Sequence, residues 1–426
     1  MYLLDSTLRP YAWGSRHAIA DLLGREPSGD PEAELWVGAH PGSPSQLIST
    51  DGRRYGLDDL IAEDPRFLLG DDVAARFENR LPFLLKVLAA ESALSLQVHP
   101  SLDQAAAGFD AEEADGVPRD APHRNYRDRN HKPELIFALT PFEALCGFRP
   151  LPEAVRIFTF LGSIVAPESA AHELLENVVG QLAAGGGTAL ESAFTHLLEA
   201  QSVVVGEVET AARAVGTAED PAISADLATV AGLGALYPGD PGVLVALLLN
   251  RVSLQPGTAL YLPAGNIHAY LSGLGIEVMA SSDNVLRGGL TPKHVDTAEL
   301  LATVVFEPLA PPALAPEYTL LDQELYRPPF EEFQLQRIVL EAPEAASVAP
   351  AHVPIVQNGP VLVLAVSGAV LLDTPTATLE VPRGGSAFVG ASEAPLLIRP
   401  AADGHGSTAG PVLAFAVTVG GGTPAL

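Results

Sequence analysis

The chain has 426 residues, enough for two or three domains and a large core, and 47% of them are hydrophobic, which excludes a disordered protein. A formal net charge of −28 speaks against nucleic acid and anionic membranes as partners, though a local pocket can still bind a small anion. A single cysteine, Cys146, rules out an intrachain disulfide.

In chain order, the N-terminus "MYLLDSTLRPYAWGS" lacks the basic and then apolar stretches of a signal peptide. The longest apolar runs, "GVLVALLLN" and "PVLVLAVSGAVLL", are too short to span a bilayer, so a cytoplasmic protein is expected. Residues 1–150 read as short strands and loops. "PFLLKVLAA" (82–90) and "ALSLQVHP" (93–100) look like strands, 101–130 like a polar surface excursion, and "ELIFALTPFEALCGF" (134–148) returns to strand. Over 151–240 apolar residues recur every three or four positions, as in "AHELLENVVGQLAA", which predicts amphipathic helices. Strands resume over 243–280. A helix is expected from "TPKHVDTAELLATVV", with Thr291 as N-cap and Pro292 at the first helical position. Residues 321–426 read as all-β.

A faint repeat links "LQPGTALYLPAGNIHAYL" (254–271) to "EVPRGGSAFVGASEAPLLI" (380–398), a turn–strand–glycine pattern found in small cupin-type jelly rolls. The expected fold is mainly β with an inserted α-helical domain, built on two cupin-type (jelly-roll) β-barrel domains. The catalytic domain would comprise 1–150 plus 241–320, the helical insert 151–240, and a C-terminal cupin-like domain 321–426.

Polar residues break this apolar background at a few places. In "SLQVHP", Gln97 and His99 share one face of a strand by its period of two. Alone, they would most simply be a hydrogen-bonded pair in a core. In "NHKPEL", Lys132 and Glu134 repeat the spacing, and Pro133 keeps Lys132 out of a helix. "LPAGNIHAY" supplies His268 just after a tight turn. Two imidazoles, a carboxylate and a glutamine oxygen suit zinc, although residue types alone leave iron or manganese open. "GIEVMASSDNVLRGGLTPKHVD" gathers Glu277, Asp283, Asn284, Arg287 and Lys293, and an ammonium at a helix start favours a phosphate. The chain has only three lysines, Lys86, Lys132 and Lys293, and all lie beside these clusters.

"YAWGS", "ELWVGAHP", "LPFLLKVL", "LSLQVHP", "HKPELIFAL", "LPAGNIHAY" and "EVMASSDNVLRGGLTPKHVD" resemble, in order, the motifs of type I mannose-6-phosphate isomerases of the cupin superfamily. The resemblance covers roughly the first 300 residues; the C-terminal hundred match only in character, and "RGG" stands where "RAG" is more usual. It implies an enzyme that interconverts mannose 6-phosphate and fructose 6-phosphate through a cis-enediol, and a monomer is expected. One zinc ion would be held by Gln97, His99, Glu134 and His268. Ser95 and Lys293 would contact the substrate phosphate, with Trp13 and Asp283 completing the substrate-binding set. Arg287 would be catalytic, and Lys132, His131, Lys86 and Glu277 are the acid/base candidates, His131 also for opening the sugar ring. Two alternatives are an iron-dependent cupin oxygenase and a non-catalytic sugar-phosphate-binding cupin. Neither gives an obvious use to Arg287 together with the lysines.

Overall fold

Alternating side chains explain the main sheet. In the computed structural model, which describes residues 1–48, 54–186, 188–340, 352–401 and 411–421, its spine is the long strand His268–Ala280. The far half of this strand pairs antiparallel with Phe83–Ala90 on one side and Glu134–Ala138 on the other. Its near half pairs instead with Phe142–Phe148 and Gln97–Val98, with a register shift between Tyr270 and Ser272. The partner switch bends the sheet around an interior. Gly273 lies just beyond it at φ +126°, where an added Cβ would sit 2.6 Å from the Phe142 ring. One edge continues through Ala259–Leu262 to Ala313–Leu314, the other through Glu34–Gly38 to Thr7–Arg9.

The two faces of this sheet differ completely. Leu35, Val37, Phe83, Leu85, Val87, Leu135, Phe137, Ile276 and Val278 pack against Leu335, Leu362, Phe388 and Phe415 of the C-terminal sheet. Each such side chain contributes roughly 1.5–3 kcal/mol on burial. The residues between them, Glu34, Trp36, Lys86, Glu134 and Glu277, face the interior and are also buried. Apolar packing on one face therefore offsets the cost of desolvating charges on the other.

Five helices, Leu151–Ile164, Ala170–Ala184, Ala189–Leu198, Ser202–Val215 and Pro221–Leu236, form the expected insert. Their core includes Leu96, Val98, Leu286 and Leu290, so the helical layer supports the back of the segments carrying Gln97, His99 and Arg287. A buried fork fixes the layer: Arg149 donates to both carboxylate oxygens of Asp226 at 2.8 and 2.9 Å and to the Leu249 carbonyl at 2.9 Å.

Four local expectations are corrected. Only Gln97–Val98 of the 93–100 stretch is regular strand. The 101–130 excursion contains the helix Leu102–Ala114, started by a capping box between Ser101 and Gln104. Gly242–Val245 and Ala246–Leu248 are helical turns before strand resumes at Leu249. The later helix is Thr297–Thr303, capped by Asp296 rather than Thr291, which leaves Lys293 in the loop before it. Asp296 accepts from the Glu299 N–H and so supplies the start signal that Thr291 does not.

The C-terminal residues form a seven-stranded and a four-stranded sheet. The first strand of the chain, Tyr2–Leu4, joins the former by pairing with Ser386–Val389, a long-range pairing that sequence order does not announce. Among the described residues no helix is long and apolar enough to cross a membrane.

Candidate active site

The interior face of the spine strand and its neighbours closes around a small cavity of about 50 Å³. Glu34, Lys86, Gln97, Lys132, Glu134, His268, Tyr270 and Glu277 are among its lining residues. One donor atom each from His99, Glu134 and His268 lies within 4.8 Å of the others, and all three residues are buried.

The histidine tautomers follow from the backbone. His99 Nδ1 is 2.8 Å from the Asn284 carbonyl and His268 Nδ1 is 3.0 Å from the Asn266 carbonyl. A carbonyl only accepts, so each Nδ1 carries the proton and each Nε2 presents a lone pair. These lone pairs face carboxylate oxygens of Glu134, at 3.3 Å from His99 and 3.5 Å from His268. His99 Nε2 has no hydrogen-bond partner among the described residues. Three acceptors converging in a buried space need a cation between them, and two imidazoles with a carboxylate are an ordinary zinc donor set. Burial pushes the His99 imidazole down to about 4, against the pull of Glu134, so it is neutral at pH 7 as a ligand must be. Burial alone would raise the Glu134 carboxyl, but Lys132 and the two imidazoles hold it well below its ordinary value.

Beside these donors lies a second buried network. Lys86 Nζ is 2.9 Å from Glu277 and 3.5 Å from Glu34, and 5.1 Å from the centre of the Trp36 ring, whose indole N–H donates to Glu34 at 2.7 Å. Burial opposes the ammonium, yet the carboxylates of Glu277, Glu34 and Glu134 raise its pKa above the ordinary value. Glu277 is raised by its burial and by the neighbouring carboxylates, against Lys86. Lys132 stands 3.3 Å from Glu134.

The remaining sequence candidates divide. Gln97 lines the cavity and sits opposite both His268 and Arg287 in the strand ladder. Burial and then the positive charge of Arg127 lower the Arg287 pKa; partial burial and the charges of Arg287 and Arg127 lower that of Lys293. These three cations therefore stand near one another. Ser95 is half-buried just before the short strand, outside its regular alternation. Trp13 packs on a cluster whose Leu88, Leu94 and Tyr270 line the cavity. Asp283 has its carboxylate 3.6 Å from Nε2 of the buried His40, whose ring packs edge-on against Trp36 at 4.9 Å. His131 is outside the cluster: its Nε2 lies 2.6 Å from Glu332 in a separate 560 Å³ pocket. His131 and Lys132 both precede the strand Glu134–Ala138, and their side chains part there: Lys132 reaches Glu134 while His131 reaches Glu332.

Sequence reasoning missed Glu34, Trp36, Tyr270 and Arg127. "ELWVG" has the same alternation as "LQVH", and Tyr270 follows His268 by two, so both signals were present. Arg127 carries no such pattern; only the folded loop brings it near Arg287.

The family "Phosphomannose isomerase type I, catalytic domain" matches residues 1–151. The mannose-6-phosphate isomerase of Escherichia coli is 40% identical over 412 residues, covering 96% of this chain and 98% of its own length. The human mannose-6-phosphate isomerase is 34% identical over 424 residues, covering 92% and 94%. The Salmonella typhimurium mannose 6-phosphate isomerase bound to substrate and zinc superposes with a TM-score of 0.82 at 36% identity, covering 98% of each chain. A zinc-bound mannose 6-phosphate isomerase structure gives 0.82 at 35% identity, covering 97% of this chain and 98% of that one.

Proposed function

The chain belongs to the type I phosphomannose isomerases and is a mannose-6-phosphate isomerase with a zinc site at His99, Glu134 and His268, and on that premise we propose how its residues share the work. The observation that carries the assignment is the convergence of two Nε2 lone pairs on one buried carboxylate, a set that a bound cation satisfies. Gln97 lines the same cavity and would supply the fourth ligand.

Isomerisation moves a hydrogen from C2 to C1 of the open sugar, and a proton-transfer route passes through a cis-enediol. It needs a base beside the two carbons, positive charge near the two oxygens and an anchor for the phosphate. When bound, the zinc supplies Lewis acidity for the sugar oxygens. Arg287, which stays cationic, stabilises the negative charge that develops on them. Lys293 anchors the phosphate, and Ser95 supplies a hydroxyl beside it. Glu277 carries the proton between the carbons, because burial raises its carboxyl toward working pH. Lys86 keeps its charge and holds Glu277 in place at 2.9 Å. Lys132 orients Glu134 and donates toward the substrate oxygens.

The bending of the spine strand and the turn shared by 254–271 and 380–398 support two cupin-type barrels, the first of them interrupted by the helical insert. A net charge of −28 favours a monomer through repulsion between copies.

Running the reaction in heavy water tests the enediol. Deuterium should appear at C1 of the fructose 6-phosphate formed. Complete retention of protium over many turnovers would instead indicate a direct hydride shift.

A further inference from the structure

Asn284 is fully buried, and every polar group it has is used. Its carbonyl receives the Nδ1 proton of His99 at 2.8 Å. Its side-chain oxygen accepts the backbone N–H groups of Arg127 at 2.7 Å and Asp128 at 3.3 Å. Its side-chain nitrogen donates to the carbonyls of Asp128 at 2.7 Å and Asn130 at 2.9 Å. Ser282 braces the arrangement, accepting the Asn284 N–H at 3.2 Å and donating to the Asn130 carbonyl at 3.1 Å.

The elements joined in this way are not neighbours in sequence. His99 follows the short Gln97–Val98 strand. The 127–130 loop leads directly into Lys132 and Glu134. Asn284 itself lies three residues before Arg287. A residue whose task was only to fill the core would not need to satisfy a ligand imidazole and two successive loop amides together. Asparagine suits the place because its amide offers an acceptor on one side and a donor on the other, matching a backbone stretch that presents both. Its short side chain leaves little slack, so the spacing between the two arms is set by hydrogen-bond lengths.

We propose that Asn284 is the positioning residue that sets the distance between His99 and the arm carrying Lys132 and Glu134, and thereby the metal site. This rests on the zinc assignment above.

The test is the zinc affinity of the full chain, measured by competition with a chromogenic chelator. Asn284→Asp keeps the acceptor and the shape, but turns a carboxylate oxygen toward the Asp128 and Asn130 carbonyls. It should weaken zinc binding 10- to 100-fold. Ser282→Ala removes one brace and should weaken it about threefold or more, in the same direction. Gln336→Leu is the control: it removes a buried amide that bridges the Val356 N–H and the Pro354 carbonyl in the C-terminal sheets. That change should lower the melting temperature and leave zinc affinity within twofold of wild type. If Asn284→Asp fails to fold, Ser282→Ala decides. Variants that bind zinc within twofold of wild type while melting earlier would overturn the positioning role. The wild-type arm is separate: absence of zinc binding there would overturn the metal assignment instead.

Discussion

Lys86→Met offers a sharp test of the interior electrostatics. Methionine keeps the length of the side chain and its packing on Trp36, but removes the charge. Lys86 now lies 2.9 Å from Glu277 and 3.5 Å from Glu34. At an effective dielectric of about 20 these contacts are worth roughly 6 and 5 kcal/mol, before subtracting the several kcal/mol spent desolvating the ammonium. The net cost of stranding the carboxylates is therefore about 3–5 kcal/mol, as for other buried pairs that lose one partner. The variant can escape part of this by protonating Glu277, already raised in the wild type. A carboxyl whose folded pKa lies above its unfolded value stabilises while protonated, and that contribution is lost as pH rises through the folded pKa. The gap between wild type and variant should thus be widest near pH 8 and shrink toward pH 5. Urea unfolding of metal-free protein at both pH values measures it. A gap below about 1 kcal/mol at pH 8, or one that does not change with pH, would refute the charge network described here.

Other consequences follow from the same geometry. Arg287→Ala should lower kcat by about 10²–10³, the usual cost of losing one transition-state donor, with zinc content unchanged by metal analysis. Lys293→Ala should instead act mainly on KM. In metal-free protein, the His99 imidazole remains neutral when folded down to about pH 4, whereas the unfolded chain takes up its proton near pH 6.5. Because the folded pKa is depressed, stability is intact above pH 6.5 and lost as pH falls toward 4, by about 3 kcal/mol in all. Thermal melts between pH 7 and 4 should show that decline, and His99→Gln should flatten it.

Much of this site was legible because polar residues recur two apart at the ends of apolar strands. Gln97 and His99, then Lys132 and Glu134, were assigned to common faces by spacing alone, and the structure gathers Gln97, Lys132, Glu134 and His268 around one cavity. The same rule, applied to "ELWVG", would have found Glu34 and Trp36. His131, in the irregular stretch before the strand Glu134–Ala138, goes to Glu332 instead. Local capping chemistry was less well read: Asp296, not Thr291, starts the late helix, and the Ser101–Gln104 box announced a helix where a loop was expected. What spacing could not reveal is long-range pairing. Tyr2–Leu4 seeks an edge in the C-terminal sheet, and Arg127 acts on Arg287 from a loop whose backbone N–H the Asn284 side chain accepts. The helical insert was clear from its 3.6-residue period, but its supporting role was not. Leu96 and Val98 look like ordinary core residues until the helices cover them.

The most direct measurement is a coupled assay for fructose 6-phosphate formed from mannose 6-phosphate by the purified chain, before and after metal removal. The zinc-loaded protein should turn over, a chelator should abolish the activity, and zinc should restore it. Undiminished turnover by protein shown to be metal-free, or none by protein shown to hold zinc, would contradict the account.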